Sequence, residues 1–144
     1  MTTPSRKPRV HGIGGLFFKS QDPKSLAAWY ARHLDLPVQE WGGAVLPWRR
    51  SDTGADAVTI WSPFTADTTY FAPSEATFML NLRVDDLDAT LEALRAEGCE
   101  VLERREDSEY GRFGYVLDPE RNLVELWEPP AQPPAAASGD TTGA

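Results

Sequence analysis

The sequence predicts an α+β fold: two tandem β-α-β-β-β modules forming curved mixed sheets around a cleft. Three observations predict it. Two apolar, strand-like runs each lead into an aspartate-capped helix, at Asp22-Pro23 and at Asp85-Asp86. Short apolar or alternating runs bounded by turn residues follow each helix. The second half also repeats the first residue by residue. Val58-Thr59-Ile60-Trp61-Ser62-Pro63 lines up with Val124-Glu125-Leu126-Trp127-Glu128-Pro129, and Trp41-Gly42 with Tyr110-Gly111.

Taken in order, residues 1–11 are polar and basic and are expected to be a flexible N-terminus. The first module, 12–63, starts with a strand over Ile13 to Lys19. A helix follows, with Leu26, Ala27, Tyr30 and Leu34 at helical spacing. Strands over Val38 to Trp41 and Ala44 to Trp48 flank a Gly42-Gly43 turn, and a third runs from Ala57 to Trp61. Residues 64–76, rich in Thr, Pro and Ala, read as a linker. The second module, 77–129, has a strand over Phe78 to Val84 and a helix whose Leu87, Leu91 and Leu94 share a face and which Gly98 ends. Three strands complete it: Glu100 to Glu103, Phe113 to Leu117 and Leu123 to Trp127. The charge run Glu103 to Asp107 reads as a solvated loop. The tail, 130–144, lacks apolar residues and is expected to be disordered.

Composition narrows the function. At 144 residues, 41% of them hydrophobic, the chain can bury a core. A net charge of -8 argues against nucleic acid, whose phosphates reward clustered Lys and Arg. The single cysteine, Cys99, excludes an internal disulfide, and no apolar run is long enough to span a bilayer. A cytoplasmic protein with no membrane partner is the expectation.

Strand periodicity divides the side chains between two faces. Leu16, Phe18, Ile60, Leu80, Leu82, Val124 and Leu126 should lie under the helices. Gly15, Phe17, Lys19, Thr59, Trp61, Met79, Asn81, Arg83, Glu125 and Trp127 should face the cleft. That mixture of aromatic and sparse polar groups suits a ligand-lined concavity. Glu125 stands out as a carboxylate inside an apolar strand, set up by the turn Asp118-Pro119-Glu120-Arg121-Asn122. Lys19 and Arg83 are its nearest basic candidates by face. Burial would raise its pKa and fit it for proton abstraction.

The double repeat, the helix D-P-K-S-L-A-A-W-Y-A-R-H-L-D-L, the V-D-D-L-D at the second cap and D-P-E-R-N-L-V-E-L-W-E-P resemble the vicinal oxygen chelate superfamily. It includes glyoxalase I, extradiol dioxygenases, fosfomycin-resistance transferases and bleomycin-binding proteins. The resemblance covers roughly residues 12–129 and implies the glyoxalase/bleomycin resistance fold and a homodimer. It also implies metal ligands near the start of each module's first strand and on each module's last strand. Those positions hold Gly15, Thr59, Met79 and Glu125. Only Glu125 is a good ligand, because glycine has no side chain, a thioether is soft and a neutral hydroxyl binds weakly. No cofactor is therefore expected, although a divalent metal is not excluded at Glu125. Three functions follow from the resemblance. One is metal-free binding of a small, partly aromatic or cationic molecule, walled by Phe17, Trp61 and Trp127 and anchored by Glu125. A second is a lyase, isomerase or dioxygenase-type enzyme using Glu125. The third is a non-catalytic interaction module whose cleft is filled by its own side chains or by the linker.

Overall fold

A computed structural model of the chain describes residues 9–131. Its elements are β1 (Val10–Ser20), α1 (Pro23–Leu34), β2 (Ala44–Arg49), β3 (Asp56–Thr65), β4 (Phe78–Val84), α2 (Leu87–Ala96), β5 (Glu100–Ser108), β6 (Gly111–Leu117) and β7 (Leu123–Glu128). The expected fold class is found. The strands form one seven-stranded sheet in the order β2-β3-β1-β4-β7-β6-β5. The first strands of the two halves, β1 and β4, run antiparallel at its centre, and each pairs in parallel with the last strand of its own half, β3 or β7.

Both helices start where the sequence places them. Asp22 caps α1 by accepting from the Ser25 N–H, and Asp86 caps α2 by accepting from the Ala89 N–H. The strand register puts both helices on one face. Leu16 pairs with Leu80, and Leu80 with Val124, so these side chains point the same way. Under α1, Trp61 packs with Ala27, Ala44, Phe18 and Tyr30. Under α2, Leu87 and Leu91 meet Val84 and Leu126, flanked by Leu82, Val116 and Val124.

The opposite, helix-free face carries its own core. Phe71, Met79, Tyr115, Leu117 and Leu123 are buried together, with Phe17, Phe64 and Tyr70 packed against them. Phe71 and Tyr70 come from the segment between β3 and β4. This segment is a strap lying across the sheet, so a composition that reads as a spacer hides two aromatic anchors.

Three local expectations are corrected. Val38 to Trp41 is not a strand; it makes one bridge, Val38 to Ala44, because the chain reverses at once through Gln39 N–H to Gly43 O (2.7 Å) and Gly42 N–H to Gln39 O (2.9 Å). Glu103 to Asp107 is not a loop but part of β5, paired with β6. Its charges are those of an edge strand, where they oppose unwanted pairing, and Arg105 binds Asp88 and Asp107 at 2.8 and 2.9 Å. Of the expected flexible N-terminus, Val10 and His11 belong to β1; residues 1–8 and most of the expected tail lie outside the described residues.

Gly111 opens β6 at φ +124°, and a Cβ there would stand 2.4 Å from the Glu128 carbonyl oxygen. Gly111→Ala combines a disfavoured backbone with a backbone clash, and is expected to cost about 2 kcal/mol or more in urea unfolding.

Candidate functional site

The turn before β7 sets the site. Asp118 Oδ1 accepts from the N–H groups of Glu120 (2.9 Å) and Asn122 (2.8 Å), and Oδ2 from the Asn122 side-chain amide (3.0 Å). These donors, Asn122 foremost, hold the Asp118 carboxyl below its usual range. Arg121 takes the left-handed conformation at φ 68°, and the chain enters β7 in register with β6 and β4.

That register places Asn81, Glu125 and Tyr115 in one row across β4, β7 and β6. Glu125 is 2% exposed. Its Oε2 accepts from the hydroxyls of Tyr70 (2.6 Å) and Tyr115 (2.7 Å), and its Oε1 from the Asn81 amide nitrogen (2.7 Å). The carboxylate is thus held by three neutral donors, and no cation bonds to it among the described residues. Burial first, and then the Glu125 charge, push both phenols well above their usual range. Arg104 covers the pair from β5, its guanidinium carbon 4.5 and 4.1 Å from the Tyr70 and Tyr115 rings, while Nη1 donates to the Tyr70 carbonyl (3.1 Å). It fixes the strap and places a positive charge behind the phenols.

The structure brings Phe17, Met79, Asn81, Arg83, Glu125 and Trp127 to this face, as expected. Lys19 shares it but pairs with the Phe71 ring at 5.8 Å instead of with Glu125, and Arg83 lies between Trp48 and Trp127. Two residues are corrected. Trp61 packs beneath α1, and Thr59 bonds to the Trp48 indole N–H and the Ile13 carbonyl. The reason is register. Phe17 pairs with Ser62, as Asn81 pairs with Glu125, so the first-half counterpart of Glu125 is Ser62, three residues beyond Thr59. Lys19 likewise pairs with Phe64 where Arg83 pairs with Trp127. Ile60, expected under a helix, pairs with Gly15 and shares its face for the same reason.

Sequence reasoning missed Tyr70, Tyr115 and Arg104. Tyr115 was readable, because it shares strand parity with Phe113 and Leu117, but no local signal marks Tyr70 as a partner for a carboxylate 55 positions away.

The donor set does not fit a divalent metal. Gly15 has no side chain, the Met79 sulfur is packed in the core, and Thr59 lies away on β3. Both Glu125 oxygens are engaged, and no three His, Cys, Asp or Glu side chains cluster as ligands among the described residues.

A seven-stranded sheet with two helices on one face and a lined, polar-centred opposite face defines the vicinal oxygen chelate class. Residues 15–127 match the profile of the glyoxalase-like domain, and the chain belongs to that family. No curated protein matches it. Among solved structures it resembles methylmalonyl-CoA epimerase from Mycobacterium tuberculosis, at 20% identity over 96% of this chain and 97% of that one, TM-score 0.54. It also resembles the Streptomyces coelicolor methylmalonyl-CoA epimerase in complex with 2-nitronate-propionyl-CoA, at 16% identity over 85% and 99%, TM-score 0.60. A third is a Legionella pneumophila protein described as an NAD-dependent benzaldehyde dehydrogenase, at 12% identity over 81% and 98%, TM-score 0.54. These likenesses establish the fold.

Two outcomes follow from the Glu125 cluster. Tyr115→Phe leaves Oε2 one donor short in a buried site and should cost about 1–3 kcal/mol in chemical denaturation. Unfolded tyrosines ionise near pH ~10, whereas folded Tyr70 and Tyr115 stay protonated. Their contribution to stability is therefore complete below about pH 10 and is lost as pH rises beyond it. In an alkaline titration followed by tyrosinate absorbance, the increments of these two residues should arrive only with unfolding.

Proposed function

We propose that this protein binds a small, partly aromatic or cationic molecule on the helix-free face without a metal, with Glu125 as the polar anchor. One observation carries the reading: among the described residues a buried carboxylate in an aromatic enclosure is satisfied only by neutral donors, and one of them, Tyr70, comes from the strap. Withdrawal of Tyr70 leaves Oε2 one donor short beside Tyr115, in a core that Phe17 and Phe64 pack against, which suits an ammonium or aromatic N–H. In this reading two modules, 12–63 and 77–129, share one face, and the linker 64–76, whose first two residues end β3, serves as its cover. A cytoplasmic location is part of the proposal.

Thermal shift against a panel of cationic aromatics tests it. A ligand at a hundred times its Kd adds about 2.7 kcal/mol of stability, and Glu125→Gln should remove most of that response. Tyr70→Phe should strengthen binding several-fold, because Oε2 then has a vacancy. A panel with no response in the parent chain, or one that Glu125→Gln leaves intact, refutes the reading.

A second reading is an enzyme, a lyase or isomerase in which Glu125 moves a proton. The two tyrosine hydroxyls on Oε2 favour it, since they could pass a proton to or from the carboxylate. Several fold neighbours are coenzyme A thioester epimerases, so solvent deuterium exchange at the α-carbon of methylmalonyl-CoA is the discriminating assay. Exchange in the parent chain that is absent in Glu125→Gln would favour the enzyme.

We also propose a homodimer through the helix side of the sheet. Between α1 and α2 the central strands leave Ile13, Leu16 and Phe78 at 44, 42 and 44% exposed, beside a groove of about 290 Å³. Such a contiguous apolar strip marks a contact surface. The antiparallel strands β1 and β4, which open the two halves, give it an approximate two-fold symmetry of its own, which suits a self-complementary partner. Phe78→Glu should convert the dimer to a monomer in light scattering without loss of helix content.

A further inference from the structure

The strap between β3 and β4 keeps its backbone to itself. Among the described residues its backbone hydrogen bonds run from Thr68 N–H to Thr65 O (3.0 Å), Ala72 N–H to Thr69 O (3.1 Å) and Ser74 N–H to Phe71 O (2.9 Å). Two side-chain caps are equally local, Tyr70 N–H to Thr68 Oγ1 and Ala76 N–H to Ser74 Oγ, both at 3.1 Å. Pairing with the sheet resumes only at Thr77, whose carbonyl accepts from the Lys19 N–H (2.8 Å). Residues 66–76 can therefore leave the sheet without breaking any strand pairing.

Side chains hold it down. Phe71 is buried among Met79, Tyr115, Leu117 and Leu123, and the Tyr70 hydroxyl donates to Glu125 Oε2 at 2.6 Å. Arg104, on β5, reaches over from the sheet. Its Nη1 donates to the Tyr70 carbonyl at 3.1 Å, and its guanidinium carbon stands 4.5 Å from the Tyr70 ring. A hydrogen bond from a charged donor together with a cation–π contact makes Arg104 the polar tie between the sheet and the strap backbone. The open state is also provided for. With the strap lifted, Glu125 keeps the Tyr115 hydroxyl on Oε2 (2.7 Å) and the Asn81 amide on Oε1 (2.7 Å), so the carboxylate is not stripped of donors. Arg104 likewise keeps the Tyr115 ring at 4.1 Å.

We propose that residues 66–76 are an autoinhibitory gate: the strap lifts as one unit while the sheet stays folded, and Arg104 is the positioning residue that latches it shut. Closed, the strap places its own hydroxyl on the Glu125 carboxylate and its own ring in the core beside it. Open, it vacates both places at once, because Tyr70 and Phe71 are adjacent in sequence and move together. Segments joined to a fold by side chains alone belong to the low-stability end of local opening. As a gate the strap rests on the reading of Glu125 as the anchor; as a motion it does not.

Native-state hydrogen exchange on the full chain, followed residue by residue in low urea, tests it. The amides of Tyr70, Ala72 and Ser74 should share one opening free energy, below that of the β4 and β7 amides. Urea should promote this opening, because lifting exposes Phe71 and the face beneath it, but less steeply than it promotes global unfolding. Strap amides that exchange with the sheet's own urea dependence open only by global unfolding, and amides with no urea dependence merely fray; either result in the parent chain overturns the proposal. Arg104→Gln should speed strap exchange by about tenfold or more relative to the β4 and β7 amides. Arg104→Lys, which keeps a charge over the rings, should fall between. Arg105→Gln, which breaks the neighbouring ion pairs to Asp88 and Asp107, should leave strap exchange unchanged. Strap exchange indifferent to both Arg104 variants overturns the latch. A ligand panel that stays silent while the strap opens as described refutes the binding reading and leaves the motion standing.

Discussion

The helix-free face depends on one constraint, the burial of the Glu125 carboxylate inside a sheet. A carboxylate 2% exposed must have its lone pairs filled, and the cost of leaving one empty exceeds the gain from an ordinary hydrogen bond. Asn81 and Tyr115 fill part of the requirement from the strands on either side. The remaining donor comes from Tyr70, so the strap must cross the sheet there. Once it does, Phe71 falls among Met79, Tyr115, Leu117 and Leu123, and the apolar core of this face closes around the polar centre. Arg104 then covers the tyrosine pair from the edge strand. The polar group and the packing around it are mutually dependent, which is how a buried network selects one arrangement.

Much of the fold was legible because helix caps and strand periodicity are local signals. Asp22 and Asp86 cap their helices as their sequence context indicates, and Phe17, Met79, Asn81, Arg83, Glu125 and Trp127 reach the face their parity assigns. The misplaced residues share one cause. Matching Trp61 to Trp127 by sequence ignores strand register, and in this sheet Phe64, not Trp61, takes the position that corresponds to Trp127. A shift by an odd number of residues sends every side chain to the other face. That is why Trp61 and Thr59 are absent from the cleft while Ser62 and Phe64 are present.

The strap was illegible for a different reason. Thr, Pro and Ala dominate its composition, and composition reports the average tendency of a segment. Its placement is decided by two residues, Tyr70 and Phe71, acting over a long sequence separation. Phe71 is fully buried, yet nothing adjacent to it in sequence is periodic. Long-range partners of a single buried carboxylate become visible only when register, strap and edge strand are known together.

The two ends of the helix-free face have opposite electrostatic character, and the difference follows from their neighbours. Around Glu125 the donors are neutral phenols and an amide, leaving a negative centre under an aromatic cover. One step along β4, at Arg83, the neighbours are indoles, leaving a positive centre whose Nε has no acceptor among the described residues. A direct Glu125–Arg83 ion pair would satisfy both with fewer residues, and both side chains project from adjacent strands on the same face. The chain instead holds each charge in its own aromatic enclosure. A buried ion pair would be no clear gain, since the attraction between two buried charges often fails to repay the desolvation of both. Each enclosure is closed by its own neighbours, the phenols and Asn81 filling the Glu125 oxygens and the two indoles covering the Arg83 guanidinium.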